Sequence, residues 1–155
     1  MADLIYEELN LSDYTMYRKK ILSLFIDTFL SNFTMDRKEA VLIGSERIEL
    51  LEKYISNGTA LVIGCIDDDE LIGVVWAYEH IFFGESRMHV NFLAVDDKFR
   101  NQGVGKGLLL VVEERARKSG LTSIDLFVSE MNDAGLKFYS NNEFKTERRY
   151  LRKKL

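Results

Sequence analysis

The chain has 155 residues, 46% of them hydrophobic and 12% aromatic; that is the size of one domain with ample material for a core, and with no proline, Gly/Ser linker or repeat to mark a boundary, a single domain over residues 1–155 is expected. A net charge of −4 supplies no basic face for phosphate neutralisation, so no nucleic acid partner is expected and a cationic small molecule is favoured. Cys65 is the only cysteine, which excludes an intrachain disulfide and a thiolate metal cage, while acidic residues through the first thirty positions and the lack of an apolar run of ~18 residues point away from a signal peptide or a membrane and toward the cytoplasm.

In chain order, Leu4 to Leu9 reads as an opening strand, and Ser12 is placed to cap a helix whose apolar stripe runs through Tyr14, Tyr17, Ile21, Leu24, Phe25 and Thr28. A second helical region spans about Asp36 to Asn57, with an interruption expected near Gly44-Ser45 and a stop at Asn57-Gly58. Leu61 to Ile66 and Leu71 to Tyr78 form a hairpin around the acidic turn Asp67-Asp68-Asp69-Glu70, and Arg87 to Val95 is the third strand of that meander. Cys65 falls inside the first of these strands, as a buried small hydrophobe. A glycine-rich turn then leads into a helix bearing Val104, Leu108, Val111 and Val112 on one face. Ile124 to Val128 alternates as a further strand, Asn132 caps a short helix through Ser140, and Phe144 to Leu151 reads as a last strand. The predicted order β-α-α-β-β-β-α-β-α-β describes an α/β fold: a mixed sheet, antiparallel at first, that acquires a crossover helix late.

The turn Arg100-Asn101-Gln102-Gly103-Val104-Gly105 has the composition of a phosphate cradle. Two glycines beside a helix start let a ligand approach amide N–H groups, the helix dipole favours negative charge, and Arg100 and Lys106 add cations. Two other phosphate motifs fail: Gly105-Lys106 is followed by Gly107 where a P-loop needs Ser or Thr, and Gly103, Gly105 and Gly107 do not make G-x-G-x-x-G, although Asp125 lies at a tempting distance.

The stretch Phe92-Leu93-Ala94-Val95 through Arg100-Asn101-Gln102-Gly103-Val104-Gly105 resembles the coenzyme A motif of the GNAT superfamily, [R/Q]-x-x-G-x-[G/A] after a strand ending Leu-Ala-Val. Asn132-Asp133-Ala134-Gly135-Leu136-Lys137-Phe138-Tyr139, followed by Phe144, is similar to that family's second signature. Asp97 stands where many members carry proline, and Asn101 and Glu143 where many carry glycine. The resemblance implies an acetyl-CoA-dependent N-acetyltransferase that needs no metal and acts on a small-molecule amine. In it the backbone of Leu93, Ala94 and Val95 would pair with the pantetheine arm, the turn from Arg100 through Lys106 would hold the pyrophosphate, with Gln102 to Lys106 offering their amides, and Asn132 would reach the arm from across a cleft.

By the same resemblance Tyr139 is the general acid that protonates the departing thiolate. For the general base, His89 lies on the strand leading to Leu93, where some members carry a glutamate, and imidazole titrates in the useful range. Glu79, His80 or a water positioned by Asn91 are the rivals. Trp76, Tyr78, Phe82 and Phe83 are candidates to line the acceptor site. The basic run Arg148 to Lys154 reads as an edge strand with solvated faces, and a homodimer would pair such edges. A noncatalytic acyl-CoA sensor and a nucleotide-binding protein are the alternative functions.

Overall fold

The computed structural model describes residues 3–155. The first helix starts earlier than the Ser12 cap predicts: in α1 (Leu11–Asn32) Asn10 is the cap, its side chain accepting from the Asp13 amide at 3.0 Å while the Asp13 carboxylate accepts from the Asn10 amide at 3.0 Å. Asp36 and Glu39 make the same reciprocal box at the start of α2 (Arg37–Ser56). No interruption occurs at Gly44. A Cβ there would lie 3.2 Å from Ile26 and Leu22 of α1, so that glycine lets two helices approach and does not break one.

Five strands form one sheet in the order β1-β2-β3-β4-β5: β1 (Ile5–Glu8), β2 (Leu61–Asp67), β3 (Glu70–Phe82), β4 (Glu85–Val95) and β5 (Ile124–Leu126). The first three pairings are antiparallel, and β5 lies parallel to β4 after the crossover helix α3 (Val104–Lys118). Asp68 and Asp69 adopt left-handed backbone, φ 46° and 63°, which is the twist that a two-residue hairpin loop demands and aspartate tolerates. The acidic run is therefore a turn.

The sheet's two faces carry separate cores. Trp76, Val74, Ala94 and Phe92 pack against Tyr14, Phe25 and Phe29 of α1 and Ile48 and Leu51 of α2. Val75, Ala77, Met88 and Val90 face Val104, Leu108 and Val112 of α3, together with Phe138 and Tyr139 of α4 (Asp133–Asn141). Cys65 is fully buried on this second side.

One irregularity decides where the sheet opens. Trp76 pairs with Phe92 and Ala77 with Val90, so Asn91 is an extra residue that bulges β4. The parallel ladder to β5 consists of Met88–Ile124, His89–Asp125 and Val90–Leu126 and ends at that bulge. Beyond it the remaining half of β4, Asn91 to Val95, has no partner on the β5 side, and β5 stops short of the predicted Val128, with Phe127 84% exposed. A cleft between two diverging parallel strands results.

The last predicted strand is not formed. Residues 145–155 are exposed and unpaired, because seven of the eleven are charged and no face of the segment is apolar enough to join the sheet. The segment is tied by its charges instead: Glu147 meets Arg87 at 2.7 Å, and the Arg148 guanidinium lies 4.9 Å over Phe82 and 4.0 Å over Phe83.

Lys20 of α1 holds the end of β4, reaching Asp96 at 2.5 Å and Glu70 at 3.2 Å. The Lys20 ammonium keeps the Asp96 carboxyl below its usual range, so this pair stabilises above the ordinary carboxylate pKa and its contribution is lost as pH falls through the depressed value. Lys20→Met, which keeps the aliphatic stem, is expected to lower stability by about 1 kcal/mol at pH 7. The gap to wild type should narrow progressively in denaturant titrations as pH is lowered below the usual carboxylate pKa.

Candidate active site

The glycine turn lies at the open end of the cleft. After Val95 a single 3-10 turn, Asp97–Phe99, brings the chain to Arg100, whose Nε donates to the Val95 carbonyl at 3.2 Å and whose Nη2 meets Asp97 at 2.6 Å. Asn101 has φ 60° and Gly103 φ 86°, and Gln102 donates to the Lys98 carbonyl at 2.9 Å. Two residues that stand where the resembling family usually has glycine, Asn101 and Glu143, both take left-handed backbone, Glu143 with φ 67°; asparagine bears that conformation more readily than glutamate.

Side chains cap α1, α2 and α4, but Gly103 caps α3 with none. The first amides of α3 thus have no side-chain acceptor, and the helix dipole lies behind them. Nothing lies within 4 Å of a Cβ built on Gly103, which opens to solvent, whereas Gly105 abuts Phe138 at 3.1 Å and Gly107 abuts the Tyr6 ring. Val104 is buried and anchors the turn against Gly73, and Lys106 is exposed.

Across the cleft, α4 begins at Asn132, whose side-chain oxygen accepts from the Gly135 amide at 2.9 Å. Tyr139 follows two turns on, packed between Phe138 and Phe144 with ring centroids 5.1 and 5.5 Å away. Burial pushes its phenol up to about 12, so it is a neutral O–H donor at physiological pH. Tyr139 belongs to the α3 face of the sheet, together with Leu93 and Val95.

His89 lies on the other face. It alternates with Met88 and Val90 on β4, is 5% exposed, and stands at the penultimate pair before the strands diverge. Its Nδ1 is 2.8 Å from Asp125 Oδ1, and His80 Nε2 is 3.0 and 3.1 Å from the same two carboxylate oxygens. Tyr78, His80 and Phe127 surround the His89 ring with centroids 4.9–5.3 Å away. The structure therefore joins two of the candidate bases through one carboxylate. Glu79, which alternates with Tyr78 and His80, is exposed away from them. Among the proposed acceptor-lining aromatics, Tyr78 reaches this cluster, Trp76 is core with an unpartnered indole N–H, and Phe82 and Phe83 hold the C-terminal segment.

Asp125 was missed by sequence reasoning except as a failed dinucleotide signal. A polar residue within an alternating strand reads as solvent-facing, and only the parallel register reveals its partner. The three ligand atoms of His80, His89 and Asp125 lie within 4.8 Å of one another, a donor set that suits transition metals. Arg87 also reaches Asp125 at 3.5 Å, a positive charge that opposes a cation there.

A model of the Acetyltransferase (GNAT) family matches residues 19–144. The chain belongs to this family. Among curated proteins, the spermidine N(1)-acetyltransferase of Thermoplasma acidophilum is 29% identical over 92 residues, covering 59% of this chain and 55% of the relative, so the match spans about half that protein's length. Solved structures share the fold. PaiA N-acetyltransferase from Thermoplasma acidophilum in complex with coenzyme A has a TM-score of 0.79 at 23% identity, covering 94% of this chain and 91% of that one. An aminoglycoside acetyltransferase from an uncultured soil metagenomic sample, in complex with sisomicin, has a TM-score of 0.74 at 19% identity, covering 98% and 95%. The mixed five-stranded sheet with flanking helices is the GNAT fold, and no helix among the described residues is long and apolar enough to cross a membrane.

Proposed function

We propose that this GNAT acetyltransferase moves the acetyl group of acetyl-CoA directly to a small, cationic amine. The observation that carries the reading is the convergence, at one split in the sheet, of the uncapped α3 terminus, the unpaired half of β4, Tyr139 on one face and His89 on the other. Acetyl-CoA supplies a thioester whose carbonyl carbon accepts the amine nitrogen. The amides of Gln102 to Lys106, with Arg100 and Asn101 shaping the turn, hold the pyrophosphate. The unpaired edge Leu93-Ala94-Val95 pairs with the pantetheine arm and directs N–H groups at the carbonyl oxygen. The amide nitrogen of the Asn132 side chain, left over after capping, faces the arm from α4. His89 takes the proton from the amine as the C–N bond forms, and Tyr139 gives its phenolic proton to the sulfur as the C–S bond breaks.

Two observations support the acceptor class: the net charge of −4, and relatives named for spermidine and for aminoglycosides, both polycationic amines. Calorimetric titration tests the cofactor site. Wild type is expected to bind acetyl-CoA, Gly103→Glu to bind at least tenfold more weakly by repelling the pyrophosphate, and Gly103→Asn, which bears the left-handed backbone without a charge, to stay close to wild type. Equal binding by all three proteins refutes the assignment of the turn.

A further inference from the structure

We infer that Asp125 is the positioning residue for the base: it fixes His89 in the tautomer that carries its proton on Nδ1, leaving the lone pair of Nε2 to receive the proton of the acceptor amine. The inference rests on the proposed role of His89 and goes beyond it, because it assigns a function to Asp125 and to the second histidine.

An ionised Asp125 only accepts hydrogen bonds, so a His89 Nδ1 at 2.8 Å must be the donor, and a neutral ring that donates from Nδ1 has its lone pair on Nε2. Without that partner, a histidine 5% exposed among Tyr78, Phe127 and His80 would be free to take either tautomer. With it, one tautomer is held, and the imidazolium that forms on proton uptake sits against a negative charge.

Asp125 is in turn held from the other side. His80 Nε2 meets both of its oxygens at 3.0 and 3.1 Å, and Arg87 Nη1 is 3.5 Å from Oδ2. Arg87 is itself shared with Glu85 and Glu147. The charged and titratable groups on the His89 side of the sheet are thus His80 and Tyr78 from β3, Arg87 from β4 and Asp125 from β5, with Tyr54 and Arg47 of α2 acting on Tyr78. Register sets the whole arrangement: His89 and Asp125 are direct partners in the parallel ladder, and His80 pairs with Arg87 on the neighbouring one. The ladder ends one pair later, so buried His89 and its half-buried partner Asp125 stand at the apex of the cleft in which the thioester would lie.

Two measurements test the inference. Long-range 15N–1H correlation spectra of the resting protein at pH 8 to 9 should show His89 with a protonated Nδ1 and a bare Nε2; a His89 protonated at Nε2 overturns the inference whatever the activity. In steady-state assays, Asp125→Asn should lower kcat/KM for the amine 10- to 100-fold, leave the KM for acetyl-CoA within twofold, and move the acid limb of the pH profile to lower pH, since removing the negative charge makes the imidazolium easier to deprotonate. A merely structural Asp125 would lower the melting temperature without moving that limb. An Asp125→Asn protein with wild-type kcat/KM and an unmoved limb refutes the inference while His89→Ala remains inactive. If His89→Ala retains full activity, the base assignment itself is wrong and this role of Asp125 falls with it.

Discussion

Replacing Tyr139 with phenylalanine is expected to lower kcat about a hundredfold, with melting temperature and acetyl-CoA binding close to wild type. The magnitude is the low end of what a positioned general acid contributes. Phenylalanine keeps the ring that packs between Phe138 and Phe144, so the substitution removes the proton and little else. The pH profile carries a second part of the prediction. Burial raises the phenol to about 12, and an acid works only while protonated, so its activity is lost as pH rises through that value. Wild-type kcat should therefore show no fall attributable to Tyr139 between pH 8 and 10. A Tyr139→Phe enzyme with undiminished kcat would show that the sulfur leaves without this acid.

The second large effect concerns stability. A Cβ on Gly107 would lie 2.6 Å from Tyr6 Cε1 and closer still to the end of that ring, well inside van der Waals contact. Tyr6 cannot simply retreat: it pairs with Cys65 in the β1–β2 ladder, and burial pushes its phenol up to about 12. Gly107→Ala is therefore expected to destabilise the protein by about 1–3 kcal/mol, the usual cost of overpacking, or roughly 2–4 °C of melting temperature per kcal/mol at this size. The expectation is notable because alanine is the better helix former, and on propensity alone the change would stabilise. A double-mutant cycle with Tyr6→Ala decides the mechanism: the penalty should shrink by at least half when the ring is gone. A Gly107→Ala protein as stable as wild type would mean that Tyr6 turns out of the way.

These two residues show different degrees of legibility. Tyr139 was singled out by the resemblance to the GNAT family's second signature, in which the asparagine cap and the tyrosine stand at fixed spacing within one short helix, so the motif can be read without any long-range contact. Gly107 read only as a residue that spoils two phosphate motifs, the P-loop and the dinucleotide fingerprint. Its packing partner is a hundred positions away in the chain, and no local signal reports a contact of that span. Gly44 is a similar case, where a glycine that predicts a break in isolation proves to be the contact point of two continuous helices.

The last strand failed for a related reason. Phe144 to Leu151 was expected as a strand, but a strand forms only where it can bury a face and find an edge. Charges at Lys145, Glu147, Arg148, Arg149 and Arg152 leave no such face, and Arg87 with the Phe82-Phe83 pair takes the segment up by ion pairing and cation–π contact. The sheet is five-stranded as a result.

What the amino-acid sequence determined by itself is the succession of elements from β1 to α4, the meander with its acidic turn, and the glycine-capped helix that leaves amides free. Each follows from capping, periodicity and the conformational range of glycine over a few neighbouring residues. What only the tertiary structure decided is where the sheet splits, which of the candidate bases stands at the split, and that Asp125 joins His80 to His89. A bulge at Asn91 and the parallel register of a crossover set those relations. Both depend on packing between segments far apart in the chain, for which no single segment carries the information.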